Sequence, residues 1–84
     1  MIARGKVLTI LEHARVGMDS ERPPIRVEDV AAAIETPEQD DGRCATIWRR
    51  RRTVLVYYEE VEDEVEVRSV SATRRRLAPK VPPA

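Results

Sequence analysis

The sequence predicts an α+β domain in which two N-terminal helices pack on an antiparallel β-meander of three strands, or four. Apolar residues recur at helical spacing in the first half of the chain, and after residue 42 the spacing changes to the alternation that is typical of strands. Because 84 residues leave room for one core, we expect a single domain over residues 1–73.

Two amphipathic segments predict the helices. Residues 6–18 place apolar side chains at steps of four, three and four, which is typical of one helical face. Residues 27–35 repeat this spacing and begin with Glu28 and Asp29, whose carboxylates favour the helix dipole. Thr36-Pro37 ends the second helix, since the residue before a proline avoids the α region.

Three strands are predicted in the second half of the chain, at about residues 43–49, 53–60 and 64–72. The middle strand is the clearest because β-branched and aromatic residues dominate it. In the last strand, the step from Val67 to Val70 breaks strict alternation, which predicts a bulge near Arg68 and Ser69. Residues 74–84 are basic and rich in proline, so we expect an extended or disordered tail.

The composition excludes several classes of protein. No apolar run approaches the roughly 20 residues that a membrane helix needs, and the N-terminal segment lacks the cleavage signal of a secretory leader. The single cysteine, Cys44, can form neither an internal disulfide nor a zinc framework, and no metal or cofactor is predicted. We therefore expect a cytoplasmic protein that does not contact a membrane.

The net charge is zero, but the charges are unevenly distributed. Residues 43–58 carry five arginines and no acid, whereas residues 59–66 carry six acids and no base. In a meander the turn at 50–52 and the start of the tail lie at one end of the sheet, roughly 20 Å from the acidic turn. Seven arginines at this end are assigned to nucleic-acid binding: Arg49, Arg50, Arg51, Arg52, Arg74, Arg75 and Arg76.

Part of the chain resembles a known family. The residues that carry the resemblance are His13-Ala14-Arg15, Met18, Arg22, Ile25, Asp29-Val30, Ala33-Ile34-Glu35 and Pro37, followed by the strand that contains Val54 to Glu59. They are similar to the pattern H-A-x-x-R-M-x-x-R-G-I-x-x-x-D-V-x-x-A-I-x-x-P of the domain of unknown function 4258 family, small bacterial proteins grouped with the RelE/ParE toxin superfamily.

The resemblance covers about residues 8–73. It implies a RelE-like fold, RNA or the ribosome as target, and an antitoxin or other protein as partner. The chain departs from the pattern at Pro23-Pro24, where the family has glycine, and its neutral charge differs from that of the strongly basic toxins.

Three residues are candidates for catalysis if the resemblance extends to a metal-independent ribonuclease. His13 is the only histidine, the side-chain type suited to acid–base catalysis near neutral pH. Tyr57 is a candidate for contact with a nucleotide, and Arg68 for stabilising the charge of the transition state. The structural alternative is that His13 hydrogen-bonds a strand or loop and Tyr57 packs in the core. Trp48 is expected in the core or as the anchor of a dimer.

Three functions stay open from the sequence. The chain is a toxin-like protein that binds or cleaves RNA, a non-catalytic domain that binds nucleic acid or a protein partner, or a homodimer whose oppositely charged ends pair across subunits. Zero net charge argues against avid binding of RNA by the whole molecule, but not against binding by its basic end.

Overall fold

Within residues 1–50 and 52–74, which the computed structural model describes, two helices pack on one face of a five-stranded mixed sheet. The elements in chain order are β1 (Ile2–Ala3), β2 (Lys6–Ile10), α1 (Glu12–Asp19), α2 (Val27–Ile34), β3 (Cys44–Trp48), β4 (Arg52–Val61) and β5 (Glu64–Arg74). A short 3-10 turn at Pro37–Gln39 precedes β3. The order of strands across the sheet is β1-β2-β5-β4-β3.

The predicted three-stranded antiparallel meander is wrong. β3, β4 and β5 form consecutive antiparallel pairs, as in a meander, but β2 lies parallel to β5 on its other side. Leu8 stands opposite Val65 and Ile10 opposite Val67 in this parallel pair. β1 then pairs antiparallel with β2, so the sheet is mixed and two strands wider than the meander.

The segment predicted as the first helix, residues 6–18, divides into a strand and a helix. In β2 the side chain of Leu8 is buried while that of Val7 points to the other face, which is the alternation of a strand. The helix α1 begins only at Glu12 and buries Met18 against the sheet. Helix α2 starts at the predicted residue 27 and ends at residue 34.

The bulge predicted near Arg68 and Ser69 is confirmed. Tyr57 pairs with Ser69 whereas Tyr58 pairs with Val67, so Arg68 is the extra residue of β5. The bulge keeps Val67 and Val70 on the buried face although they are three positions apart, an odd step that would put them on opposite faces of a regular strand.

The core lies between the helices and one face of the sheet. Its largest fully buried side chains are Met18, Ile34, Val30, Val54, Val56, Val65 and Val67. Gly17 lets α1 approach β5 closely, because a Cβ at this position would lie 1.8 Å from the carbonyl oxygen of Val70. Trp48 is not part of the core, contrary to one of its two expected roles, because 61% of its surface is exposed.

The helices α1 and α2 have eight residues each. Neither is long or apolar enough to cross a membrane, and this holds for every helix in the described part of the chain.

Candidate nucleic-acid interface

The helices cover one face of the sheet, and no described element covers the other. In β4, Val54, Val56 and Tyr58 are buried beneath the helices, whereas Leu55 and Tyr57 point to the opposite side. We call this opposite surface the open face. Its exposed large apolar side chains are Trp48, Tyr57, Val61, Val7 and Ile2.

Arginines lie at one end of the sheet. The ladder between β4 and β5 sets Arg52 opposite Arg74, and the backbone N–H of Arg49 donates to the carbonyl oxygen of Arg52 at 3.0 Å. Arg50 is exposed in the connection between β3 and β4. We call Arg49, Arg50, Arg52 and Arg74 the basic end. Three more arginines assigned to it from the sequence lie outside the described residues: Arg51, Arg75 and Arg76.

The basic end is held against the loop between α1 and α2. The guanidinium of Arg49 donates hydrogen bonds to the carbonyl oxygens of Pro23 and Pro24. Arg52 Nε lies 3.5 Å from Oε1 of Glu21, whose side chain is 9% exposed. The Glu21 carboxylate therefore neutralises part of the charge of Arg52.

Trp48 lies on the open face directly beside the basic end. It stands opposite Thr53, which in turn stands opposite Thr73, so the indole and two hydroxyl groups form one row across three strands. The next residue, Arg52 in β4, stands opposite Arg74 and is in phase with Val54, so its side chain turns to the helix-covered side, where it meets Glu21. Arg50, in contrast, is exposed in the connection beside Trp48. An aromatic ring beside cationic groups is the combination that binds single-stranded nucleic acid, since the ring stacks on a base and the cations contact phosphates.

The opposite end of the sheet is acidic, but described cations neutralise part of it. Arg4 Nε lies 3.0 Å from a carboxylate oxygen of Glu60, and its Nη1 lies 2.6 Å from Oδ2 of Asp40. Glu60 raises the pKa of Arg4. Tyr58 donates a hydrogen bond to Asp40, and burial together with this bond raises the pKa of the Tyr58 hydroxyl. The exposed residues Glu62 and Asp63 connect β4 to β5, and we call this pair the acidic turn.

The three predicted catalytic residues do not meet in one site. His13 is exposed on α1, on the helix-covered side of the sheet, whereas Tyr57 projects from the open face. Tyr57 and Arg68 do line one open depression. However, Arg68 Nη2 lies 2.7 Å from Glu59 and 2.9 Å from Glu66, so two carboxylates already hold the guanidinium.

The surroundings of Tyr57 differ from those of Trp48. The neighbouring Cys44, then burial and the charge of Asp41, raise the pKa of the Tyr57 hydroxyl. Burial also raises the pKa of the Cys44 thiol. Glu38, Asp40 and Asp41 line a second depression, of about 450 Å³, on another side of Tyr57. Carboxylates repel phosphate, so this part of the open face is unsuited to the RNA backbone.

Trp48 and the threonines of its row are site residues that sequence reasoning missed. Trp48 alternates in phase with Cys44 and Thr46, whereas Ala45 is in phase with the buried side. The alternation indicates that Trp48 shares a face with Cys44 and Thr46, but it does not indicate which face the helices cover. Among residues 1–50 and 52–74, no group of three or more His, Cys, Asp or Glu side chains is placed to hold a metal ion.

The chain was compared with models of known protein families, with curated proteins and with solved structures, and none of them matches. The resemblance to the domain of unknown function 4258 family therefore stays a prediction.

Proposed function

We propose that this protein binds single-stranded RNA without cleaving it, with Trp48 stacking on a base and the basic end contacting phosphates. The observation that carries the proposal is the strand register. It sets the row of Trp48, Thr53 and Thr73 at the end of the open face, directly beside the connection that carries the exposed Arg50.

The row of Trp48 and the exposed Arg50 beside it supply complementary parts of a nucleotide site. A base stacked on an aromatic side chain contributes about 1–3 kcal/mol to binding, whichever base it is. Arginines contribute the salt-dependent part by displacing counterions from phosphates. The hydroxyl groups of Thr53 and Thr73 lie in the same row as the ring on the open face, where they can bond a ribose 2′-hydroxyl, the group that distinguishes RNA from DNA.

The acidic groups limit the path of the RNA. Asp41 near Tyr57, and the acidic turn beyond it, repel phosphates along the length of β4. The RNA therefore crosses the β-strands at the basic end rather than running along β4. A short footprint on a neutral protein predicts weak binding that is sensitive to salt.

RNA cleavage by a toxin of the RelE/ParE superfamily, restrained by an antitoxin, is the alternative that the resemblance implies. The separation of His13 from Tyr57 by the sheet favours binding over cleavage. A cytoplasmic location, which the composition predicts, belongs to the same proposal because it gives access to RNA.

The first test is a salt titration with a labelled uridine-rich RNA oligonucleotide, followed by fluorescence anisotropy. We expect Arg50→Ser to weaken binding and to lower the slope of log affinity against log salt by about 0.7, the value for one phosphate contact on a single strand. The matched control is Arg15→Ser, which removes an exposed arginine from α1 and should leave the slope unchanged. Equal losses in both variants would contradict a site at the basic end.

The second test uses Trp48 itself, the only tryptophan of the chain. RNA that stacks on the indole should quench its emission with the same midpoint as the anisotropy change. Trp48→Leu should weaken binding about tenfold, because one stacking contact is lost. Tight binding by wild type with no change in tryptophan emission would overturn the proposed platform.

A further inference from the structure

We infer that a second copy of this chain covers the open face, turned so that the basic end of each copy lies over the acidic turn of the other. This inference concerns a protein partner and goes beyond RNA binding. It rests on the distribution of exposed apolar side chains, on a depression at the acidic turn, and on the spacing between the basic end and the acidic turn.

Exposed apolar side chains occupy both ends of the open face. Trp48, with 61% of its surface exposed, stands at the basic end. Ile2, Val7 and Val61 stand at the other end, with exposures of 58%, 51% and 39%. Ile2 and Val7 are cross-strand partners, and contiguous apolar groups on a face that no described element covers mark a surface that associates with a protein.

The depression at the acidic turn fits the side chains of the basic end. It has a volume of about 380 Å³, and the residues that line it are Val7, Val61, Glu62, Asp63 and Glu64. Its valines offer apolar contact to the indole of Trp48. Its carboxylates offer the opposite charge to Arg50, which is two residues from Trp48.

The strand register makes the two ends coincide under a twofold rotation. Cys44 stands opposite Tyr57, Trp48 lies four residues from Cys44, and Val61 lies four residues from Tyr57 in the opposite direction. Each step of four residues spans about 13 Å along a strand. A twofold axis that passes over Tyr57, in the plane of the sheet and perpendicular to the strands, therefore places Trp48 of one copy level with Val61 of the other and about 5 Å to its side, one strand spacing away.

Charge favours a second copy in this orientation. Each copy brings one basic and one acidic end, so the reversed arrangement forms two oppositely charged contacts, whereas the unreversed one opposes like charges. The face measures roughly 25 by 20 Å, which buries about 1,000 Å² over both copies, the lower limit for a specific interface. We therefore expect a weak dimer.

The outer edge of β3 is a poorer contact because the preceding loop already occupies it. The side-chain amide of Gln39 donates to the carbonyl oxygen of Thr46 at 2.8 Å. The backbone N–H of Asp41 donates to the carbonyl oxygen of Cys44 at 3.2 Å. These bonds block the outward carbonyl groups that a strand of another chain would need.

Sedimentation equilibrium without RNA tests the dimer, over about 1 to 300 µM protein. We expect the mass to rise from one copy toward two, and the emission of Trp48 to shift to shorter wavelength over the same range. Val61→Lys should keep the protein monomeric, because it places an ammonium group in the depression. The matched control, Val16→Lys on α1, should dimerise like wild type. A monomeric wild type at the highest concentration, or a Val61→Lys variant that dimerises equally well, would overturn the inference.

A charge exchange tests the orientation of the two copies. Arg50→Glu and Asp63→Arg each create like charges at both contacts, so each variant alone should dimerise at least about tenfold more weakly than wild type. Mixed in equal amounts, they restore opposite charges at both contacts and should form a heterodimer. Failure of the mixture to associate, while wild type dimerises, would contradict the reversed orientation.

RNA and a second copy compete for Trp48 if both proposals hold, so RNA should dissociate the dimer. The two proposals fail separately, because the dimer is measured without RNA and RNA binding is measured on the monomeric Val61→Lys variant. If wild type dimerises but the monomeric Val61→Lys variant does not bind RNA, the proposed function alone is contradicted. If wild type stays monomeric and binds RNA, the dimer alone is contradicted.

Discussion

Arg52 and Glu21 form an ion pair, with 3.5 Å between Nε and Oε1, that joins the start of β4 to the loop after α1. Because the Glu21 carboxylate cancels part of the positive charge beside the proposed RNA site, Glu21→Gln should tighten RNA binding. An interaction of about 1 kcal/mol, expected for charges 4 Å apart in water, corresponds to roughly fivefold in affinity. Fluorescence anisotropy at low salt measures this change in RNA affinity.

The matched control is Glu12→Gln, which removes an exposed carboxylate from the start of α1. It should change RNA affinity less than twofold in the screened solvent. If Glu21→Gln weakened binding while the variant stayed folded, Glu21 would be a contributor to the RNA site and the proposed role of Arg52 would be wrong.

Gly17 sets the distance between α1 and β5, so Gly17→Ala should destabilise the protein. At an exposed helical position the same change stabilises by about 1 kcal/mol. Here the new Cβ would lie 1.8 Å from a backbone oxygen of Val70, so the helix must move and we expect a loss of about 3 kcal/mol. Urea unfolding measures the change, and Val16→Ala on the exposed side of α1 is the control. A stabilised Gly17→Ala protein would show that α1 packs differently.

Tyr58→Phe should destabilise the protein at neutral pH. The Tyr58 hydroxyl donates to Asp40 and accepts a hydrogen bond from Arg4 Nη1 at 3.1 Å. The Asp40 side chain is 5% exposed, so loss of a donor costs about 1–3 kcal/mol. Urea unfolding at pH 7 measures this cost, and an unchanged free energy of unfolding would mean that water replaces the hydroxyl at no cost.

The same residue predicts a loss of stability at alkaline pH. Burial, then the hydrogen bond to Asp40, raises the pKa of Tyr58 above its ordinary value of 10.0. Because the pKa is raised in the folded state, the Tyr58 hydroxyl ionises first in the unfolded chain as the pH rises. The contribution of the protonated hydroxyl to the free energy of unfolding is therefore complete below about pH 10 and declines above it. Wild type should therefore lose stability above pH 10 more steeply than Tyr58→Phe does. Parallel curves for the two proteins would contradict the burial of this hydroxyl.

His13→Ala should leave RNA binding unchanged, and neither wild type nor the variant should cleave RNA. The reason is that His13 is exposed on the helix-covered side of the sheet, away from Trp48 and Tyr57. Incubation with a labelled RNA, followed by electrophoresis, checks this result. Cleavage by wild type that His13→Ala abolishes would favour the toxin alternative over the binding proposal.

The sequence predicts the position of the basic end because that position depends on local structure. One hairpin joins β4 to β5, and a single bulge at Arg68 sets the rest of their register, so the pairing of Arg52 with Arg74 follows from neighbouring residues. The sequence also carries the alternation that brings Trp48 into phase with Thr46. Which of the two phases faces water depends on where the helices pack, which local pattern does not determine.

Residues 6–10 could not be assigned from local pattern for a related reason. Val7 and Leu8 fit the helical spacing that continues to Met18, and no glycine or proline separates β2 from α1. What makes this segment a strand is its parallel pairing with Val65 and Val67, more than fifty residues further along the chain. Sequence periodicity contains no information on such a distant partner.

Photo-crosslinking tests most directly the claim that Trp48 and the basic end form the RNA site. A uridine-rich RNA that contains 4-thiouridine is irradiated with the protein at low salt, and the crosslinked tryptic peptides are identified by mass spectrometry. We predict a crosslink within residues 44–49, the tryptic peptide that contains Trp48 and ends at Arg49 of the basic end. Crosslinks confined to the helices, with residues 44–49 unmodified, would contradict this account.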